Sequence, residues 1–310
     1  MLISDKIYKR ILEKKKRLSS YRPLDKFQLN KLKQGFLVEY VYNSTAIEGN
    51  TLTLNETRLV LEEGITISGK SLREHLDVTN QKQAIEWIED FIKKKKKIKE
   101  IDILMLHKLT LKGISDYWAG KYKTSQNRII GSKLKTTPLY KVKSEMGNLI
   151  YLINKNTQKY NIIELAAFSH HELVRIHPFV DGNGRAARLV CNLILISSGF
   201  PPIIIRKIDR KKYFDCLEKA HFGNLNVFVD FIALRVEESL IRHLNAFVKT
   251  TKSNELLPLS VLAKETPYSQ EYLSLLARRG VLPATKIEGI WHTSRDEIRS
   301  YIKVVKIKQP

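Results

Sequence analysis

Apolar residues recur along most of this chain at helical spacing. Leu29, Leu32, Phe36, Tyr40 and Ile47 stand on one face of a helix, and Gly49 stops it. Thr53, with Glu56 three residues on, forms a capping box for a second helix that ends before Gly64. Residues 65–69 read as a hairpin tip, and Ser71 then caps a long helix that runs into the lysine-rich stretch 93–99. Further helices are expected near residues 144–155, 162–176, 185–198, 209–222 and 225–249. The stretch 185–198 is apolar nearly all round (Leu189, Val190, Leu193, Ile194, Ile196), so it should be the central buried helix. Residues 119–143 contain Gly120, Gly131 and Pro138 and read as strand and loop. A polar linker, 249–255, leads to a last segment with a helix, a turn, a second helix (269–279), a Gly-containing hairpin (286–291) and a final helix. The expected fold class is mostly α with little strand.

Charge sharpens this outline. The 310 residues include 54 Lys plus Arg against 32 Asp plus Glu, a formal net charge of +22. An excess of that size points to an anionic partner, while 43% apolar residues suit an ordinary globular chain with one large or two moderate domains. The excess is spread out. Part lies in 93–99, and part in 119–143, where Lys121, Lys123, Arg128, Lys133, Lys135, Lys141 and Lys143 stand without an acid. Cys191 and Cys216 make neither a disulfide framework nor a metal set. The N-terminus is charged from Asp5 onward and has no apolar signal core. The longest apolar stretch, 189–205, is broken by Asn192, Gly199 and two prolines. A cytoplasmic protein with no membrane partner is expected.

The informative segment is His177-Pro178-Phe179-Val180-Asp181-Gly182-Asn183-Gly184-Arg185-Ala186-Ala187-Arg188. Pro178 ends one helix, and Gly182 and Gly184 allow a tight loop whose N–H groups converge. The next helix starts at once, so its positive end faces the same point. Arg185 and Arg188 lie three apart, nearly on one face, which makes two clamps for several phosphates. Asp181 offers a hard oxygen suited to Mg²⁺ bridging phosphates, and His177 a base largely neutral near pH 7. Together these read as phosphoryl or nucleotidyl transfer. The competing motifs fail. GNGRAA fits G-x-G-x-x-A, but a helix precedes it and no acid follows about twenty residues on. His171-Glu172 opens a zinc-protease motif that Arg175 breaks, and no Walker A string is present.

This segment resembles the signature of the Fic family, H-x-F-x-[D/E]-G-N-G-R-x-x-R, at every specified position. The resemblance implies a Fic-type helical domain over roughly residues 30–250. It also implies a protein adenylyltransferase that moves AMP from ATP onto a Ser, Thr or Tyr hydroxyl of a target protein, or of itself, with release of pyrophosphate. Carried over, His177 deprotonates the hydroxyl, Asp181 holds Mg²⁺, and Gly182, Asn183 and Gly184 cradle the phosphates. Arg185 and Arg188, with Ala186 and Ala187 between them, complete the phosphate site. Relatives that transfer phosphate carry Lys where this chain has Gly184. Residues 119–143, with Ile130, Gly131 and Ser132, resemble the family's flap, a β-hairpin that aligns the target by strand addition. Tyr213 and Phe214 resemble its adenine-side element, although His221 and Asn224 stand where the family often has Asn and Asp.

Ser44-Thr45-Ala46-Ile47-Glu48-Gly49 fits the family's inhibitory motif, [S/T]-x-x-x-E-[G/N], on a helix over about 36–49. The resemblance implies that Glu48 pairs with Arg188 and blocks productive ATP binding, and that the protein is a homodimer. Residues 259–302 resemble an excisionase-like winged helix-turn-helix, which implies a DNA or protein partner. Residues 253–310 hold only 9 basic against 6 acidic residues, a modest excess for DNA. The expected organisation is an N-terminal helical region (1–118), a catalytic core with flap and signature loop (119–250), and a winged-helix-like domain (256–310). The sequence leaves open transfer of another group such as UMP or phosphocholine, removal of AMP, and an ATP-sensing DNA-binding regulator.

Overall fold

Capping residues mark where several of the helices start. In the computed structural model the Thr53 hydroxyl accepts the Glu56 N–H at 3.2 Å, and the Glu56 carboxylate accepts the Thr53 N–H at 2.7 Å. Ser71 and Glu74 make the same reciprocal pair one helix later. Asn161 caps a third helix by accepting from Ile163 and Glu164, each at 3.0 Å.

The structure describes residues 1–21, 26–94, 96–128, 135–157, 159–247, 256–287 and 289–306. Among these the helices are α1 (Asp5–Ser20), α2 (Lys26–Ala46), α3 (Leu54–Glu63), α4 (Leu72–Lys93), α5 (Glu100–Leu111), α6 (Val142–Lys155), α7 (Ile162–Ile176), α8 (Asn183–Ser197), α9 (Arg210–His221), α10 (Leu225–Phe247), α11 (Leu259–Ala263), α12 (Gln270–Arg278) and α13 (Arg295–Lys306). Strands β1 (Leu257–Pro258), β2 (Thr285–Ile287) and β3 (Ile290–Thr293) form one antiparallel sheet in the order β1-β3-β2. No described helix is long and apolar enough to cross a membrane.

The chain packs as two compact units. The first holds Met1–Ser4 and Lys31–Val236. Its centre is α8, which packs along α7 and against α4 and α5. Leu189, Val190 and Leu193 are fully buried, as the all-round apolar pattern predicts. The second unit holds Asp5–Asn30 and Glu237–Pro310. Its small core gathers Leu259, Leu262, Leu273, Leu276, Ala277, Leu282 and Ile298. α1 belongs to this unit through a buried charge cluster: Glu237 takes Arg10 at 2.7 Å and Lys14 at 3.3 Å. The division by packing therefore differs from the sequential one into 1–118, 119–250 and 256–310, because α1 joins the end of the chain across more than two hundred residues.

Three local expectations change. Residues 65–69 form a turn rather than a hairpin tip; the Ile67 N–H donates to His75 Nε2 at 2.8 Å, which ties the segment to α4. α5 is a full helix that the reading of the sequence passed over. The described residues of the flap segment, 119–128 and 135–143, contain no strand. Its two arms are joined by side chains instead: Thr136 Oγ1 donates to the Asn127 carbonyl at 2.8 Å, and the buried Lys123 ammonium donates to the Thr137 carbonyl at 3.2 Å.

Candidate functional site

The segment 177–188 joins α7 to α8, and its backbone explains its shape. His177 ends α7 in the left-handed region at φ 50°, with its N–H on the Leu173 carbonyl at 3.0 Å. Phe179 is buried and stacks on His107, with ring centroids 3.6 Å apart and ring planes nearly parallel. The Asn183 amide accepts the Phe179 N–H at 3.0 Å and donates to the Phe179 carbonyl at 2.9 Å, which closes the loop on itself. Gly182 sits at φ 77°, and a Cβ there would stand 3.4 Å from the His107 ring. No side chain caps α8, so its first N–H groups and its positive end face the loop's concave side.

That concave side already holds a carboxylate. Glu48 Oε1 lies 2.8 Å from Arg188 Nη2, and a Cβ added at Gly184 would fall 2.5 Å from the same oxygen. Arg188 is itself buried and gripped from α2. Its Nε donates to Ser44 Oγ at 3.1 Å and its Nη2 to the Ser44 carbonyl at 2.8 Å. Its Nη1 is buried without a hydrogen-bond partner among the described residues. Burial works against the charge of Arg188, but Glu48 and the Tyr213 and Tyr40 hydroxyls outweigh it and hold the guanidinium above its ordinary value. Gly49 follows in a turn at φ 107°. The end of α2 is fastened at two further points. Arg210 Nε donates to the Ile47 carbonyl at 2.8 Å, and the Lys207 N–H to Asn43 Oδ1 at 2.8 Å.

His177 lies at the mouth of the same loop, its Nδ1 3.3 Å from the Val174 carbonyl. Burial, helped by the nearby Lys123 ammonium, pushes its pKa down to about 4, so the imidazole is neutral at physiological pH. The Lys123 N–H donates to the Pro178 carbonyl at 2.8 Å, which sets the first arm of 119–143 beside the loop. Asp181 is half-exposed. Its Oδ1 accepts the Gly182 N–H at 2.6 Å and its Oδ2 meets Arg73 Nη2 at 2.8 Å. Burial opposes its charge, but Arg185, the Gly182 N–H and Arg73 hold its carboxyl below the usual range. One half-exposed carboxylate at the start of α8 fits Mg²⁺, a cation that takes one or two carboxylates and completes its shell with phosphate oxygens and water. No cluster of three or more His, Cys, Asp or Glu suited to a metal exists among the described residues.

The remaining sequence-derived positions separate. Ala186 and Ala187 are fully buried in the α8 core. Arg185 is buried and bonded to Asp77 of α4 rather than open to the concave side. Tyr213 is also buried, with its hydroxyl 3.0 Å from His170 Nε2, whereas Phe214 exposes its ring beneath the Arg210 guanidinium at 4.9 Å. His221, from the same helix, pairs with His171 at 2.9 Å. Ile130, Gly131 and Ser132 lie outside the described residues.

Reading the sequence missed His107. Its Nδ1 accepts the Gly120 N–H at 3.1 Å, so its Nε2 carries the proton and donates to the Asp181 carbonyl at 2.9 Å. One buried ring therefore ties the start of the flap segment to the loop. Arg73, Asp77 and Arg210 were missed as well, since nothing local in their sequence marks them.

Comparison with known proteins points to one family. The family model described as Fic/DOC family matches residues 97–195. Protein adenylyltransferase fic-1 of Caenorhabditis briggsae is 39% identical over 217 residues, which is 69% of this chain and 42% of that protein. Protein adenylyltransferase Fic of Nematostella vectensis is 37% identical over 207 residues, 66% of this chain and 48% of that protein. The chain thus spans under half the length of these curated relatives. A solved Fic domain containing signaling protein from Bacteroides thetaiotaomicron superposes with a TM-score of 0.73 at 28% identity, covering 78% of this chain and 99% of that one. A solved Fic-1 fragment from C. elegans gives a TM-score of 0.71 at 34% identity, covering 79% of this chain and 74% of that one. With the loop, the fold and these relatives in agreement, the chain belongs to the Fic/DOC family.

Proposed function

We propose that this chain is a protein adenylyltransferase held in a resting state by its own α2. The observation that carries the reading is the Glu48 carboxylate, which stands 2.8 Å from Arg188 over Gly184. A carboxylate there occupies the kind of place that a phosphate takes at a helix N-terminus beside a buried arginine. The unpaired Nη1 of Arg188 points to a second anionic oxygen.

In this reading neutral His177 takes the proton from a Ser, Thr or Tyr hydroxyl of the target. The hydroxyl oxygen attacks the α-phosphorus of ATP, the bond to the β-phosphate bridging oxygen breaks, and pyrophosphate leaves. Asp181 would hold Mg²⁺, which supplies charge neutralisation on the phosphates. The N–H groups at Asn183 and Gly184 face the phosphates, and Arg188 takes the γ-phosphate once Glu48 withdraws. The exposed Phe214 ring offers a surface for adenine, and buried Tyr213 supports it from behind. Lys121 and Lys141 suit an acidic face on the target. The protein is cytoplasmic, modifies itself as well as its target, and forms a homodimer. The segment 256–310 is a winged helix-turn-helix. The exposed side of α12 carries Glu271, Tyr272 and Leu275, with Arg278 and Arg279 only at its end, which supports a protein partner more than DNA.

The test is to incubate the protein with Mg²⁺ and labelled ATP, UTP or CTP and to weigh the products. An adduct of AMP mass from ATP is expected, lost in His177→Ala. A bare phosphate adduct, a UMP adduct, or full activity of His177→Ala would overturn the reading.

A further inference from the structure

Four charged side chains form one line across the signature loop. Arg73 and Asp77 stand one turn apart on α4, so both face the loop. Arg73 Nη2 meets Asp181 Oδ2 at 2.8 Å. On the other side of Asp181, Oδ1 meets Arg185 Nη2 at 3.5 Å. Arg185 Nη1 then bonds to Asp77 Oδ1.

The two ends of this line differ in burial. The Arg73 and Asp181 side chains are 60% and 50% exposed, and those of Arg185 and Asp77 are 4% and 14% exposed. An exposed ion pair contributes little and gives way to a competing charge. A buried pair is costly to break, because the deserted charge stays in a poorly solvated place. Arg185 is therefore fixed between two carboxylates, while the Arg73 contact is the replaceable one.

We infer that Arg185 is a positioning residue for Asp181 and not a phosphate clamp, that Asp77 anchors it, and that Arg73 is a counter-ion holding the Asp181 oxygen that a divalent cation must take. The inference rests on the nucleotide reading above and deepens it. A hard cation at Asp181 and the Arg73 guanidinium compete for the same oxygen, so Arg73 sets how much divalent cation the site requires. Asp77 and Arg185 keep the carboxylate aimed at that place while the exchange occurs.

The test is a calorimetric titration of ATP into the Glu48→Gly chain over a series of Mg²⁺ concentrations and in EDTA. Arg73→Ala should lower the Mg²⁺ concentration at which ATP binding tightens by about fivefold, the scale of an exposed ion pair, with ATP affinity in EDTA unchanged within about twofold. Asp77→Ala should raise that concentration by about tenfold or more, again with affinity in EDTA nearly unchanged. Asp77→Asn keeps the shape of the side chain and is read in the same way if the alanine variant melts early. Equal weakening of ATP binding in EDTA and in Mg²⁺ by the Asp77 variants would make Arg185 a phosphate clamp and overturn the inference. An unmoved Mg²⁺ dependence in Arg73→Ala would also overturn it. Failure of the parent Glu48→Gly chain to bind ATP under any condition would instead remove the nucleotide reading itself.

Discussion

The Glu48 carboxylate and Gly184 exclude a side chain from the space between them: Oε1 stands where a Cβ on residue 184 would be only 2.5 Å away. Arg188 holds that oxygen from below at 2.8 Å. The absence of a side chain at 184 therefore leaves the room that the carboxylate fills.

Removing the carboxylate should release the site. Glu48→Gly is expected to raise incorporation of labelled AMP at least tenfold, equivalent to about 1.4 kcal/mol of relieved competition. The same variant leaves Arg188 buried without its carboxylate partner, so its melting temperature should fall and be recovered by ATP. Equal incorporation by the two chains would sink the idea of a brake.

The crowding over Gly184 makes a double-mutant cycle informative. Gly184→Ala should cost about 1–3 kcal/mol in the parent chain, the usual range for overpacking. In the Glu48→Gly chain the cost should shrink, since the nearest atom is gone and alanine favours the helix by about 0.5–1 kcal/mol. Urea denaturation of the four proteins reads the coupling. Additive losses would mean that Glu48 does not occupy that place in solution.

Stability should fall with acid well before the carboxylates titrate. Burial pushes His107, His177 and His221 each down to about 4, against about 6.5 for a free imidazole. Burial, with the Arg188 charge, moves His170 in the same direction. Between those values the unfolded chain binds protons that the folded chain refuses, so stability is full above pH 6.5 and is lost as pH falls towards 4. Unfolding midpoints at pH 7, 6 and 5 should decline in step, with uptake of more than one proton. A flat midpoint across this interval would contradict the buried, neutral assignment.

His107 should matter for stability although it lies away from the concave side of the loop. Its ring links the Gly120 N–H to the Asp181 carbonyl and fills the space against Phe179. His107→Ala loses the packing and strands two polar groups, a combined loss of about 3 kcal/mol or more. Proteolysis within 119–143 should quicken in this variant relative to parent, because the arm beginning at Gly120 loses its tie.

The signature loop is legible in the sequence because its parts are consecutive, and the Glu48 motif because it ends a helix with a clear apolar face. The residues that finish the site are not legible, for a physical reason. Arg73 and Asp77 reach Asp181 and Arg185 across 108 positions, and His107 reaches Asp181 across 74. An ion pair or a hydrogen bond leaves no period in the chain, whereas a buried face does. The same limit explains the domain boundary. Arg10 and Lys14 look like solvated members of a basic helix until Glu237, 227 positions away from Arg10, is placed beside them. Tyr213 is the opposite case: the sequence marks it as a ligand contact, and packing turns it inward onto His170.

His177 stands at φ 50°, in a backbone region that a residue with a Cβ occupies at a cost of roughly 1–2 kcal/mol. Glycine would sit in that corner without strain. The loop thus keeps its least comfortable residue at the position where the proposed reaction uses an imidazole. Durability and chemistry pull in opposite directions there. Selection for hardiness alone would strip this protein of its imidazole before it touched the rest of the loop.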